Sequence, residues 1–186
     1  MRKMPLAPRM LAAAFACIGL CAGAAGAAPV GQGWGPGERD GAAPVACERG
    51  FVFSRSNQVC LKIGSDRFAE GELYEQGEAL ALAGQYEKAL DALGAVKDPP
   101  DPRVLTMSGY AKRKLGRFDE GIRDYLDALA LDPDNADARE YLGEAYVETG
   151  KMDLARAELD RIKAICGGRD CEQYRDLAAA IDGQAR

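Results

Sequence analysis

The chain has 186 residues, a formal net charge of −5 and no histidine. That length allows one domain with appendages. Without histidine there is no Ser–His or Cys–His nucleophile pair and no imidazole base, and the acidic balance opposes binding to a nucleic-acid backbone, which depends on Lys and Arg.

At the start, Arg2, Lys3 and Arg9 precede an apolar run from Leu11 to about Ala22 and a small-residue tract, Ala22 to Ala28. This order predicts a secretory signal peptide over residues 1–27, with A-x-A cleavage options after Ala24 or Ala27. A retained membrane anchor is the alternative, but the run is short and rich in Ala and Gly for a spanning helix. Lipid attachment at Cys17 or Cys21 fits poorly, because Phe15 and Leu20 put bulky residues where small ones belong. Loss of Arg2, Lys3 and Arg9 takes the formal charge from −5 to −8. The chain is expected in the periplasm or secreted, with no stable membrane insertion once the leader is cut.

Residues 28–46 are mostly Gly, Pro and Ala, with Trp34 the one bulky side chain. Such a stretch buries too little surface to offset its ordering entropy and is predicted to be a disordered linker. The run Gly31, Gly33, Gly35 and Gly37 lacks the strand–helix setting of a phosphate cradle.

From Cys47 the composition changes. Phe51-Val52-Phe53 and Val59 to Ile63 are β-prone runs around the turn-rich Ser54 to Gln58, which predicts a small hairpin over residues 47–64. Four cysteines follow the leader: Cys47, Cys60, Cys166 and Cys171. An even count in an exported chain implies disulfides, of which three pairings exist. Proximity favours Cys47–Cys60 and Cys166–Cys171. Zinc would need all four thiolates from two distant segments, with no C-x-x-C pair; no metal and no cofactor are expected.

Residues 65–183 read as helical and repetitive. Gly77, Gly109 and Gly143 recur at spacings of 32 and 34, and Gly84, Gly116 and Gly150 follow them seven residues later. Large apolar residues come next (Tyr86, Phe118, Met152), then Ala89, Gly121 and Ala155, then Leu93, Tyr125 and Leu159. Phe118, Ile122, Tyr125 and Leu129 form one helical face, as do Ala155, Leu159 and Ile162. Gly84, Gly116 and Gly150 stand where a left-handed helix end is needed. The earlier glycines lie inside helices, at a cost of about 1 kcal/mol each against Ala, which points to close helix approach. Asp101-Pro102 and Asn135-Ala136 mark helix starts.

Tyr141-Leu142-Gly143-Glu144-Ala145-Tyr146 followed by Gly150, Ala155 and Leu159 resembles the tetratricopeptide repeat. So does Gly116-Arg117-Phe118 through Gly121, Tyr125, Ala128-Leu129 and Pro133-Asp134-Asn135. The likeness spans about Glu70 to Gly167. It departs at the first-helix position usually held by Trp, here Leu73, Leu105 and Arg139, and at Gly121 in place of Ala. The fold implied is all-α: a tetratricopeptide-type solenoid of three helix pairs (about 70–101, 102–135 and 136–167) preceded by the disulfide-bridged hairpin. A further helix over about 170–182, with an apolar stripe of Tyr174, Leu177, Ala178 and Ile181, reads as its cap, Asp170 and Gln173 resembling a capping box.

By the family pattern the first helices line a concave groove, which places Tyr74, Glu78, Arg103, Thr106, Tyr110, Arg113, Glu140 and Glu144 in it. Packing of Tyr74, Tyr110 and Tyr141 between helices is the competing reading. Arg103, Lys112, Arg113, Lys114 and Arg117 make the middle unit basic beside an acidic third, a bipolar arrangement suited to a mixed-charge peptide. The function expected is that of a non-catalytic adaptor for a protein or peptide partner. The alternatives are a thiol–disulfide factor using Cys166 and Cys171, and a membrane-anchored envelope assembly factor. Partner identity and oligomeric state are not legible in the residues.

Overall fold

The computed structural model describes residues 45, 47–69, 71–97 and 100–184. The leader, the candidate lipid positions and Trp34 lie outside them. Strands β1 (Phe51–Ser54) and β2 (Val59–Lys62) pair antiparallel, with Val52 opposite Leu61 and Phe53 opposite Cys60. Val52 and Leu61 turn the same way and are buried. Two strands alone are marginal in water. Here a Cys47–Cys60 disulfide closes the hairpin, and Val52 joins the helical core.

Seven helices follow among the described residues: α1 (Glu72–Leu82), α2 (Tyr86–Leu93), α3 (Pro102–Lys114), α4 (Phe118–Leu131), α5 (Ala136–Glu148), α6 (Met152–Ile165) and α7 (Glu172–Gln184). They pack as pairs, α1 with α2, α3 with α4 and α5 with α6; α2 then lies on α3 and α4 on α5. None is long and apolar enough to cross a membrane. Asp101 accepts a hydrogen bond from the Arg103 amide at 2.8 Å, with Pro102 at the first helical position. Asn135 Oδ1 accepts from the Ala138 amide at 2.9 Å. Each pair turns through a left-handed glycine, Gly84, Gly116 or Gly150, at φ of 75 to 77°, a conformation that costs glycine nothing.

The in-phase helical glycines are contact points. A Cβ at Gly77 would lie 2.6 Å from the Leu93 side chain, and one at Gly109 would lie 2.7 Å from the Tyr125 ring. Gly121 reciprocates, its missing Cβ making room for the Gly109 carbonyl oxygen at 2.8 Å. That close crossing accounts for glycine where the repeat usually has Ala. At Gly143 the partner is Leu177 of α7 rather than a residue of α6. The seventh helix therefore seats directly on the last repeat and covers its apolar face, the task of a cap in a stacked array. Leu177 and Ile181 are buried there. A Cys166–Cys171 disulfide spans the turn between α6 and α7.

The capping box expected at Asp170 and Gln173 is replaced by a longer-range bond. Gln173 Nε2 donates to Asp137 Oδ1 on α5 at 2.8 Å.

Candidate functional site

A cleft of about 230 Å³ opens along the first helices of the three pairs and the start of α7. From α1 it takes Tyr74, Glu78 and Leu82, and from α3 Arg103, Thr106 and Met107. Asn135 caps α5 at its edge, and that helix adds Asp137, Glu140 and Tyr141; α7 adds Glu172, Gln173 and Asp176. The i, i+3, i+4 spacing that places one side of a helix in the core leaves Tyr74 and Glu78, or Asp137, Glu140 and Tyr141, on the adjoining side.

Five of the eight predicted groove residues line this cleft: Tyr74, Glu78, Arg103, Thr106 and Glu140. Tyr74 donates its hydroxyl to Glu78 Oε1 at 3.0 Å. The Arg103 guanidinium lies 4.8 Å above the Tyr74 ring and pairs with Asp101 at 2.6 Å. Thr106 donates to the Pro102 carbonyl at 2.7 Å, a bond within its own helix.

Arg113, Tyr110 and Glu144 are placed elsewhere. Arg113 is 2% exposed. Its Nη1 donates to Glu148 Oε1 at 2.6 Å and its Nη2 to Glu144 Oε2, both on the next repeat. The guanidinium carbon lies 5.6 Å and 5.9 Å from the ring centres of Tyr110 and Tyr141, within the reach of a cation–π contact. Tyr110 and Tyr141 are themselves 5.1 Å apart. Burial pushes the Tyr110 phenol up to about 12. These three residues form the joint between the second and third repeats and, though expected in the groove, do not line this cleft. The residues that pack an array and those that face its groove alternate on one helix, so family position alone does not separate them.

The expected bipolar field is corrected for the same reason. Lys112 is held by Asp124 at 2.5 Å and Arg117 by Glu120 at 2.6 Å. Arg103 is the basic residue that lines the cleft, whereas Glu78, Asp137, Glu140, Glu172 and Asp176 supply five carboxylates. Composition along the chain showed a basic middle unit, but it did not show that neighbouring acids neutralise it.

Glu140 stands apart among these carboxylates. It is 7% exposed, and among the described residues no donor sits within hydrogen-bond distance of its carboxylate. Burial, then Glu144, Asp176, Asp137 and Glu172, pushes its carboxyl from 4.5 up to about 9. Burial and the neighbouring Glu172 push Asp176 up as well. Between about 4.5 and about 9 the folded chain keeps a proton on Glu140 that the unfolded chain has released. Stability from this group therefore falls as pH rises through that window. Glu140→Gln is expected to remove the slope and to be more stable than the wild type at pH 8 by on the order of 2 kcal/mol, while differing little at pH 4. Urea unfolding at both pH values checks this; parallel wild-type and variant pH profiles would refute it.

Glu72 is a buried carboxylate of the opposite kind, and the sequence did not single it out. It accepts from the Ser56 and Ala69 amides at 3.0 Å and from the Ser54 and Ser56 hydroxyls at 3.2 Å. Burial pushes its carboxyl up, but these four donors outweigh it and hold the group below its ordinary value. It fastens the hairpin to the first helix. The cleft residues Asn135, Asp137, Tyr141, Glu172, Gln173 and Asp176 were also missed as a site. The one available signal was the acidic first turn of α7, read only as part of a cap.

Residues 106–170 match the tetratricopeptide repeat family. The cytochrome c-type biogenesis protein CycH of Bradyrhizobium diazoefficiens is 27% identical over 134 residues, covering 68% of this chain and 36% of the relative. The TPR repeat-containing thioredoxin TTL4 of Arabidopsis thaliana is 29% identical over 108 residues, covering 56% of this chain and 14% of the relative. The chain thus spans well under half the length of either. Among solved structures, PcrH in complex with the chaperone binding region of PopB superposes with a TM-score of 0.52 at 20% identity, covering 63% of this chain and 98% of that one. The Yersinia enterocolitica type III secretion translocator chaperone SycD gives 0.53 at 17% identity, with 64% and 92% covered. At such identities these two likenesses are of fold. With the helix pairs in glycine phase and the family match running from the second pair to the edge of the cap, residues 106–170 of this chain form tetratricopeptide repeats.

Proposed function

We propose that this chain is an exported, non-catalytic adaptor that holds an extended or helical segment of another protein in the α1/α3/α5/α7 cleft. The observation that carries the reading is the cleft itself. It combines apolar walls (Leu82, Met107) with aromatic rings (Tyr74, Tyr141) and charges of both signs, the mixture from which peptide-recognition surfaces are made. PcrH, a neighbour in fold, is bound to a region of another protein in its solved structure. Export is supported by the charge, apolar and small-residue order of residues 1–27 and by two disulfides, which persist in oxidising compartments.

The redox alternative rests on Cys166 and Cys171. In its favour, Cys171 lies just before α7, where a helix start lowers a thiol's pKa. Against it, four residues separate the two cysteines, and their bridge staples the cap to the last repeat. With both cysteine pairs closed, the four thiolates a zinc site would need are engaged.

A single experiment separates the readings. The full chain, three variants and a buffer control are used to retain proteins from an envelope extract, and each variant's melting is followed. Glu78→Trp, which fills the cleft from a partly exposed position, is expected to cut retention of the principal partner about tenfold. Arg161→Trp, on an exposed position of α6, should keep it. Cys166→Ser with Cys171→Ser should also keep the partner and lose about 2 kcal/mol of stability, the low end for a short loop. Equal retention by Glu78→Trp would refute the cleft as the binding surface. Loss of the partner in the well-folded double Ser variant would favour the redox reading.

A further inference from the structure

We propose that the α5/α7 end of this cleft is a subsite for one cationic side chain, a Lys or Arg of the bound segment, with Glu140 as its anion. The proposal rests on the cleft being the peptide site and names what that site selects.

The geometry carries it. Glu140 is nine-tenths buried, lines the cleft and has no donor partner among the described residues. An acid in that state costs stability and is ordinarily paired. The groups facing it are Asp137 and Glu144 on its own helix, Glu172 and Asp176 on α7 and, along the same cleft, Glu78 on α1. The cation available on α3, Arg103, is bound to Asp101. Arg113, the buried cation of the same helix, is bound to Glu144 and Glu148. Among the described residues no cation of the repeat array answers Glu140, so an incoming one would.

The walls narrow the choice of cation. Tyr141 and Met107 line the same cleft, and a Lys or Arg stem packs on such surfaces while its charged head reaches an acid beyond them. Arrival of a cation favours the ionised carboxylate, which the unoccupied cleft disfavours. Binding therefore releases a proton from Glu140, and affinity should tighten as pH rises from 6 to 8.5. Asp137, Asp176, Glu172 and Glu78 add to the attraction without being buried as Glu140 is.

The test uses the full chain and a synthetic, cysteine-free, N-acetylated random hexapeptide library, so that the α-amine cannot stand in for a side chain. Peptides retained by the wild type should carry a Lys or Arg excess at one position. A retained peptide, resynthesised with a fluorophore, should bind about tenfold more tightly than its norleucine analogue, and more tightly at pH 8.5 than at pH 6. Glu140→Gln should bring both peptides to the norleucine affinity. An absent Lys or Arg excess, or one that survives Glu140→Gln, would overturn the subsite while leaving the cleft in place. Peptides retained equally by wild type and Glu78→Trp would remove the cleft reading and the subsite with it.

Discussion

Arg113→Ala is expected to cost about 3–5 kcal/mol of folding stability, the range seen when one partner of a buried pair is removed. The guanidinium is almost wholly buried on α3 and answers two carboxylates of α5 at once. Its loss has unequal consequences for the two. Glu148, with a side chain 37% exposed, can rehydrate. Glu144, at 17%, is left beside Glu140 on the same helix without its cation. Tyr110 and Tyr141 also lose the charged plate that lies near both rings. Arg113→Lys should recover only part of the loss, because one ammonium cannot reproduce the two-pronged geometry. Adding Glu144→Gln to Arg113→Ala should return about 1 kcal/mol or more, since it removes the orphaned charge. Urea unfolding at pH 7 measures all three. A loss below about 1 kcal/mol for Arg113→Ala would mean that the pair behaves as a surface ion pair, contrary to its burial.

Gly109→Ala should destabilise the chain by about 2–3 kcal/mol, in the range of core overpacking. The sign is the informative part. In an exposed helix the same change would stabilise by about 1 kcal/mol through propensity. Here the new methyl would meet the Tyr125 ring at 2.7 Å and the Gly121 carbonyl oxygen at 3.0 Å. Tyr125 is fully buried, and the carbonyl belongs to the backbone of α4. Gly77→Ala meets the Leu93 side chain at 2.6 Å and backbone only at 3.4 Å, so a smaller loss is expected. Thermal or urea unfolding of the two variants side by side decides it. A neutral or stabilising Gly109→Ala would mean that the α3–α4 crossing is looser than these distances.

Most of the architecture was legible without coordinates, and the reason is local. The phase of Gly77, Gly109 and Gly143 against Gly84, Gly116 and Gly150 is written at spacings that one helical hairpin repeats. The caps at Asp101 and Asn135 are satisfied within three residues. Left-handed glycines and apolar faces need no knowledge of the far end of the chain. A stacked array also makes its long-range contacts mainly between neighbouring units, so a repeat that is recognised carries most of the packing with it.

What the tertiary structure alone decided concerns charge and the last helix. Lys112, Arg113 and Arg117 read as a basic patch until Asp124, Glu144, Glu148 and Glu120 are placed against them. Glu140 reads as one groove acid beside Glu78 and Glu144 until α7 folds over α5 and the carboxylate is found buried. Leu177, 34 positions beyond Gly143, fills the notch that Leu93 and Tyr125 of the paired helix fill in the first two repeats. In each case the deciding neighbour comes from a different element, often from a different repeat. The energy of an ionised group depends on everything within several ångströms of it, whatever the separation along the chain. Periodicity reports which side of a helix is buried. It does not report which charges are already answered, and in this protein that difference separates the joint between repeats from the proposed partner site.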